Sequence, residues 1–198
     1  MVSAALRSDA RVIEAVVIGG SAGSVAALGQ VLPGLPSEFP PVLIVVHVLP
    51  SSPSLLAQLF RPRCAMRVRE PEAFEPIERG TIYFAPADYH LLVEPSRRCA
   101  LSIEPPVRFS RPAIDVLFES AASVYGAGLI GVVLTGASAD GAQGLRAIDA
   151  ARGLTIVQDP STAEHDVMPQ AALAAVPGTK VVSLSALTTE LCSWTQAT

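Results

Sequence analysis

Val16-Val17-Ile18-Gly19-Gly20-Ser21-Ala22-Gly23 decides the reading of this chain. Three β-branched residues run directly into glycine, with no polar residue interleaved. A strand with one wet face would alternate polar and apolar residues. This one is apolar on both sides, as in a parallel strand covered by helices above and below. Gly19-x-Ser21-x-Gly23 then suits a tight turn from the strand into a helix, with the serine lifted at the turn. Two more runs share that texture. Val42-Leu43-Ile44-Val45-Val46 ends in His47, and Leu129-Ile130-Gly131-Val132-Val133-Leu134 leads into Thr135-Gly136-Ala137-Ser138-Ala139-Asp140-Gly141. Each run therefore delivers one member of a Ser-His-Asp set to its carboxyl end, the edge at which open parallel sheets meet their ligands.

Outward from these runs, strand-like and helix-like segments alternate, which gives an α/β class with a mostly parallel sheet. Residues 24–32 read as a short helix with Val25, Leu28 and Leu32 on one face, ended by Pro33-Gly34. Ser51-Ser52-Pro53-Ser54 starts another, with Leu55, Leu56 and Leu59 inward. From Pro62 to Pro112 prolines become frequent, and residues 81–84, 90–93 and 100–103 read as short strands with hairpin connections. We read this stretch (62–112) as an antiparallel excursion within one domain spanning 1–198. Pro112 opens a helix in its first turn, with Ile114, Val116, Leu117, Phe118, Ala121 and Ala122 inward. A helix over 140–151, a strand over 154–157, a helix near 169–174, a strand near 181–182 and a C-terminal helix follow.

Half of the 198 residues are hydrophobic and 16% are charged, which is enough apolar material for a sizeable core. The formal net charge is −4 with no block of like charge. Such a chain lacks the electrostatic footprint of a nucleic-acid or anionic-membrane binder. No apolar stretch reaches the roughly 18 residues of a spanning helix, and residues 1–15 lack the apolar core of a secretory signal. Cys64, Cys99 and Cys192 form no C-x-x-C and no zinc spacing. They read as reduced thiols in the core of a cytoplasmic protein. No metal or organic cofactor is expected.

The glycine-bounded turn has a rival reading as a dinucleotide loop. Gly-x-Gly-x-x-Gly anchored at Gly19 would place Ser21 and Ser24 where glycines must let a pyrophosphate approach, and the second strand ends in His47 rather than in an acid for a ribose. A serine nucleophile fits better. Its hydroxyl needs a base within reach, and His47 is better placed than His90, inside an apolar strand, or His165, in a polar loop. Asp140 suits both the cap of the next helix and the orientation of an imidazole. Asp115 and Asp149 lie within helices and Asp159 follows a later strand. The order Ser…His…Asp differs from that of the α/β-hydrolases.

These residues resemble the chemotaxis protein-glutamate methylesterase family, CheB. Val17-Ile18-Gly19-Gly20-Ser21-Ala22-Gly23 is similar to its nucleophile segment and Val46-His47-Val48-Leu49-Pro50 to its histidine segment. Gly80-Thr81-Ile82-Tyr83-Phe84-Ala85-Pro86-Ala87-Asp88-Tyr89-His90-Leu91, Ser110-Arg111-Pro112-Ala113-Ile114-Asp115-Val116-Leu117-Phe118, Leu134-Thr135-Gly136-Ala137-Ser138-Ala139-Asp140-Gly141, Gln158-Asp159-Pro160-Ser161-Thr162-Ala163 and Met168-Pro169-Gln170-Ala171-Ala172 continue the match in order. The resemblance implies a doubly wound α/β domain with helices on both faces. It implies hydrolysis of glutamate γ-methyl esters on chemoreceptor helices, with glutamine deamidation in some members. Residue by residue it puts the nucleophile on Ser21, the base on His47, the orienting acid on Asp140 and an oxyanion N–H on Ala137. The N–H of Ala22, at the start of the following helix, offers a second donor.

Two departures from the family pattern bear on expectation. The chain starts almost directly at the first strand, so it reads as a catalytic domain without a receiver, controlled by a receiver-domain protein in trans if at all. Ala137 and Ser138 stand where the family usually has Met then Gly, so a substrate-facing side chain is lost while the N–H remains. A small-ester hydrolase, or a binding module that kept the fold, are the competing classes. The triad is expected to be open to solvent, with Val48, Leu49 and Ala137 as the exposed apolar groups around it.

Overall fold

Residues 12–47 and 55–195 are described in the computed structural model. Nine strands occur there: β1 (Ala15–Gly20), β2 (Val42–Val46), β3 (Arg67–Arg69), β4 (Thr81–Phe84), β5 (His90–Val93), β6 (Cys99–Ser102), β7 (Leu129–Val133), β8 (Leu154–Gln158) and β9 (Lys180–Val182). The helices are α1 (Ser24–Val31), α2 (Leu56–Phe60), α3 (Ile114–Tyr125), α4 (Ala142–Ala150), α5 (Val167–Ala175) and α6 (Leu187–Thr195). Seven strands form one sheet in the order β3-β4-β2-β1-β7-β8-β9, and every pairing in it is parallel.

The unbroken apolar runs follow from two dry faces. Val16 and Ile18 of β1 point into a core with Ala27, Leu28 and Val31 of α1, Phe60 of α2 and Leu187 and Leu191 of α6. Ala15 and Val17 point the other way, into a core with Leu117 and Phe118 of α3, Leu145 and Ile148 of α4 and Met168 of α5. The sheet is thus wound on both sides, as the resemblance implied. The chain leaves β1 for β2 on one flank and later returns through β7 on the other. The carboxyl ends of β2, β1 and β7 therefore frame the switch point of the sheet.

Several expectations need correction. Residues 81–84 are not part of a hairpin. As β4 they lie parallel between β2 and β3, with Val42 opposite Ile82, and all four residues are buried, the signature of a covered parallel strand. The antiparallel pair is β5 and β6, running from His90↔Ser102 to Val93↔Cys99. Strand β3 has no apolar run to mark it: only Val68 of its three residues is buried. In α1 the inward face is Ala27, Leu28 and Val31, continued by Leu32, and Val25 is exposed. In α2 Leu56, Ala57 and Phe60 turn inward while Leu55 and Leu59 are exposed. Its expected start at 51–54 lies outside the described residues. Pro112 precedes the helix, whose first residue is Ile114 after an extended Ala113. No helix among the described residues is long and apolar enough to cross a membrane.

Candidate active site

Strand register brings the serine and the histidine together. Gly20 of β1 lies opposite Val46 of β2, so Ser21 and His47 are the next residues on neighbouring strands. The His47 N–H donates to the Gly20 carbonyl at 3.2 Å, and the Ser21 N–H donates across the other flank to the Thr135 carbonyl at 3.0 Å. The turn behind Ser21 is tight: Gly23 has φ +79°, and Ser24 donates both its N–H and its hydroxyl to the Ser21 carbonyl.

The His47 imidazole donates from Nε2 to Asp140 Oδ2 at 2.8 Å. Its side chain is 13% exposed and that of Asp140 is fully buried. An ionised carboxylate only accepts, so Nε2 carries the proton and Nδ1 is the remaining ring nitrogen. Neither Nδ1 nor the Ser21 hydroxyl is hydrogen-bonded among the described residues. Register thus places Ser21 beside His47, but the expected hydrogen bond between them is not formed. Resting sites are often this loose before substrate binds.

Asp140 is buried but fully partnered. Oδ2 also accepts from the Ile114 N–H at 2.7 Å, and Oδ1 accepts from the N–H groups of Asp115 and Gly141, each at 3.0 Å. Burial pushes this carboxyl up, but the His47 hydrogen bond and the amides of Ile114 and Asp115 outweigh it and hold it below the ordinary carboxylate value. Ile114 and Asp115 begin α3, so the carboxylate also faces the positive end of that helix.

The N–H groups of Ala22 and Ala137 have no acceptor among the described residues. Ala137 is exposed and Ala22 half-buried. The segment between them is well tied. Gly136 donates its N–H to the His165 carbonyl at 3.0 Å and accepts from Met168 N–H at 2.9 Å. A Cβ at Gly136 would lie 2.7 Å from Met168 Cε and 3.0 Å from Ser21 Cβ. Met168 therefore packs close to the serine, and glycine is what lets the loop pass between them. The Thr135 hydroxyl lies 3.0 Å from the Ala22 carbonyl and accepts from the His165 N–H at 2.8 Å. Its N–H donates to Gln158 Oε1 at 2.9 Å. Thr135, Gln158 and Met168 fell inside quoted motifs, but nothing in their spacing pointed to the serine.

The competitors are placed elsewhere. His90 is buried and spent, Nδ1 accepting from Ala113 N–H and Nε2 donating to the Pro105 carbonyl. His165 is exposed beside Glu164. Asp159 closes its own turn on Ser161, and Asp149 is exposed. The Asp115 carboxylate is taken up by Gly141, Gly144 and Arg108. Val48 and Leu49 lie outside the described residues. Among the described residues no His, Cys, Asp and Glu group has metal-binding proximity.

Residues 16–191 match the family described as CheB methylesterase. A Leptospira interrogans protein named "Putative protein-glutamate methylesterase/protein-glutamine glutaminase" is 46% identical over 172 residues, covering 86% of this chain and 89% of that protein. The protein-glutamate methylesterase/protein-glutamine glutaminase of Symbiobacterium thermophilum is 43% identical over 156 residues, covering 78% of this chain; this chain spans only 43% of that longer relative. Among solved structures, the Thermotoga maritima CheB methylesterase catalytic domain superposes with a TM-score of 0.87 at 28% identity, covering 91% of this chain and 98% of that one.

Proposed function

Since the chain belongs to the CheB methylesterase family, we propose that it hydrolyses glutamate γ-methyl esters on cytoplasmic chemoreceptor helices, with glutamine deamidation as the related reaction. The observation that carries this reading is the 2.8 Å His47–Asp140 pair standing at the strand end next to Ser21. His47 Nδ1 takes the Ser21 proton as Oγ attacks the ester carbonyl. Asp140 holds the imidazole in the tautomer that leaves Nδ1 basic and stabilises the imidazolium that forms. The oxyanion accepts from the N–H groups of Ala22 and Ala137. The imidazolium then protonates the departing methoxide, and methanol leaves. Water, deprotonated by His47, attacks the acyl-enzyme, and the proton returns to Ser21 as glutamate is released. The side-chain amide of glutamine would follow the same path, with the imidazolium protonating the leaving nitrogen so that ammonia departs. Alanine at 137 presents only a methyl group beside the N–H that the oxyanion would use.

Methanol release from methylated receptor fragments, compared with turnover of a small chromogenic ester, tests the reading. Methanol from the receptor, lost in Ser21→Ala, is the expected result. Turnover of the small ester alone would assign a general ester hydrolase, and turnover of neither a binding module.

A further inference from the structure

We propose that Asp115, held by Arg108, is a positioning residue that orients the Asp140 carboxylate toward His47 and places a second negative charge behind it. This role rests on the serine-hydrolase reading above. Its geometry is an exchange of caps between two helices that start side by side. Asp140 stands two residues before α4, yet it receives the first N–H groups of α3, from Ile114 and Asp115. Asp115 stands in the first turn of α3, yet its Oδ1 receives the N–H groups at the start of α4, from Gly141 at 2.9 Å and Gly144 at 2.7 Å. Neither helix is capped by the side chain of its own N-cap residue, Ala113 or Gly141. Each aspartate thus pins the backbone that carries the other, and the N–H of Asp115 is itself a donor to Asp140.

Both of these caps fall on one oxygen of Asp115, so an asparagine would cap α4 as well. The charge and the second oxygen serve something else. Oδ2 accepts from Arg108 Nε at 3.1 Å. Arg108 sits in a two-residue turn closed by Val107 and Ser110, with φ +48° at Arg108 and +64° at Phe109. Such turns favour Asn-Gly, and side chains in this region are strained. Two carboxylates on the same pair of helix starts also repel. Burial and the neighbouring Asp140 push the Asp115 carboxyl up, while the Gly144 N–H and Arg108 pull it back. The charged groups around the pair are Asp140 before α4, His47 beyond it, Arg108 from the turn, and Glu119 further along α3. The Glu119 carboxyl is pushed up by burial and by both aspartates. Capping favours an acceptor at each position but not two neighbouring charges; a site that must stabilise an imidazolium gains from the second charge.

Two variants separate positioning from capping. Asp115→Asn keeps the capping oxygen and removes the charge, so protonation of the imidazole is disfavoured. Arg108→Gln removes the opposing charge and has the reverse effect. With methyl-ester substrate, Asp115→Asn is expected to lower kcat about tenfold or more at nearly constant KM. The acidic limb of its pH–rate profile should move down by about half a pH unit, and that of Arg108→Gln should move up. Arg108→Lys should restore the wild-type limb. Limbs that stay in place, or move the same way in both variants, would reduce Asp115 to a helix cap and overturn the proposal. The low-field NMR resonance of the His47 Nε2–H proton gives a readout without turnover. If the wild type hydrolyses no methyl ester but this resonance shifts in Asp115→Asn, the hydrolytic reading fails and the positioning role stands. An unchanged resonance in a folded variant sinks the positioning role whatever the activity.

Discussion

A serine hydroxyl is a poor nucleophile unless a base takes its proton, and Ser21 owes that opportunity to strand register alone. Its Oγ makes no hydrogen bond among the described residues, so removing it should cost the fold almost nothing. Ser21→Ala is expected to lower kcat by at least about 10³-fold, since triad members act as a unit, with a melting temperature within about 2 °C of wild type. A folded variant that keeps most of its methanol release would mean a different nucleophile. The three candidate residues could be named from the sequence because Ser21 and His47 follow apolar runs closely and Asp140 lies in the loop after a third, and a run end in a parallel sheet is a physical address. Asp115 reads along the chain only as a helix residue. No pattern along the chain tells that α3 and α4 start against each other, so its second carboxylate could not be connected to Asp140. Thr135, Gln158 and Met168 carry no such address: Gln158 ends β8 and Met168 lies in α5, and only tertiary packing brings them to the loop that follows β7.

Helices carry the same logic one scale up, and two glycines in helix interiors show it with opposite signs. A Cβ on Gly144 of α4 would lie 2.4 Å from Phe118 Cβ and 3.1 Å from Asp115 Cα. Alanine there must push α3 and α4 apart, which costs about 1–3 kcal/mol. The same displacement pulls Gly141 and Asp115 away from each other, so kcat should fall with KM little changed. A Cβ on Gly29 of α1 meets nothing within 4 Å. Gly29→Ala should therefore stabilise by about 0.5–1 kcal/mol through the backbone term alone, with activity unchanged. Urea unfolding and steady-state kinetics on both variants check the pair; equal effects would contradict the close helix approach. Element types were largely readable, because apolar runs and amphipathic segments alternate. What failed was phase and partnership. In α1 and α2 small residues, Ala27 and Ala57, share the buried face, so the large residues misplaced it by a position. Strand β4 was grouped with its proline-rich surroundings although its four buried residues match a covered parallel strand.

Across the whole molecule, one sheet separates two apolar cores and carries the candidate site at its switch point. The α3–α4 side holds the two buried carboxylates, whose titrations oppose each other. Burial pushes the Asp140 carboxyl up, but its hydrogen bonds from His47, Ile114 and Asp115 hold it below the ordinary value of 3.8. In the unfolded chain it returns to that value. Between the two values the unfolded state binds the proton and the native state does not. Stability present above 3.8 is therefore lost as pH falls through the native value. Asp115 runs the other way, because burial leaves its native value above 3.8. Its native carboxyl takes up a proton first and gains stability as pH falls toward 3.8. Acidification from neutrality should thus relieve Asp115 before it discharges Asp140. The expected curve of urea stability against pH holds up down to about pH 4 and drops below it. Asp140→Asn should be less stable at neutral pH, because its amide offers the His47 Nε2–H and the three backbone donors a poorer set of acceptors, and its curve should flatten below pH 4. Asp115→Asn should remove the relief above pH 4 and keep the drop below it. An Asp140→Asn curve that runs parallel to wild type through the acid range would show that this carboxylate is not held below its ordinary value, and with it the electrostatic basis of the His47 pair would fall.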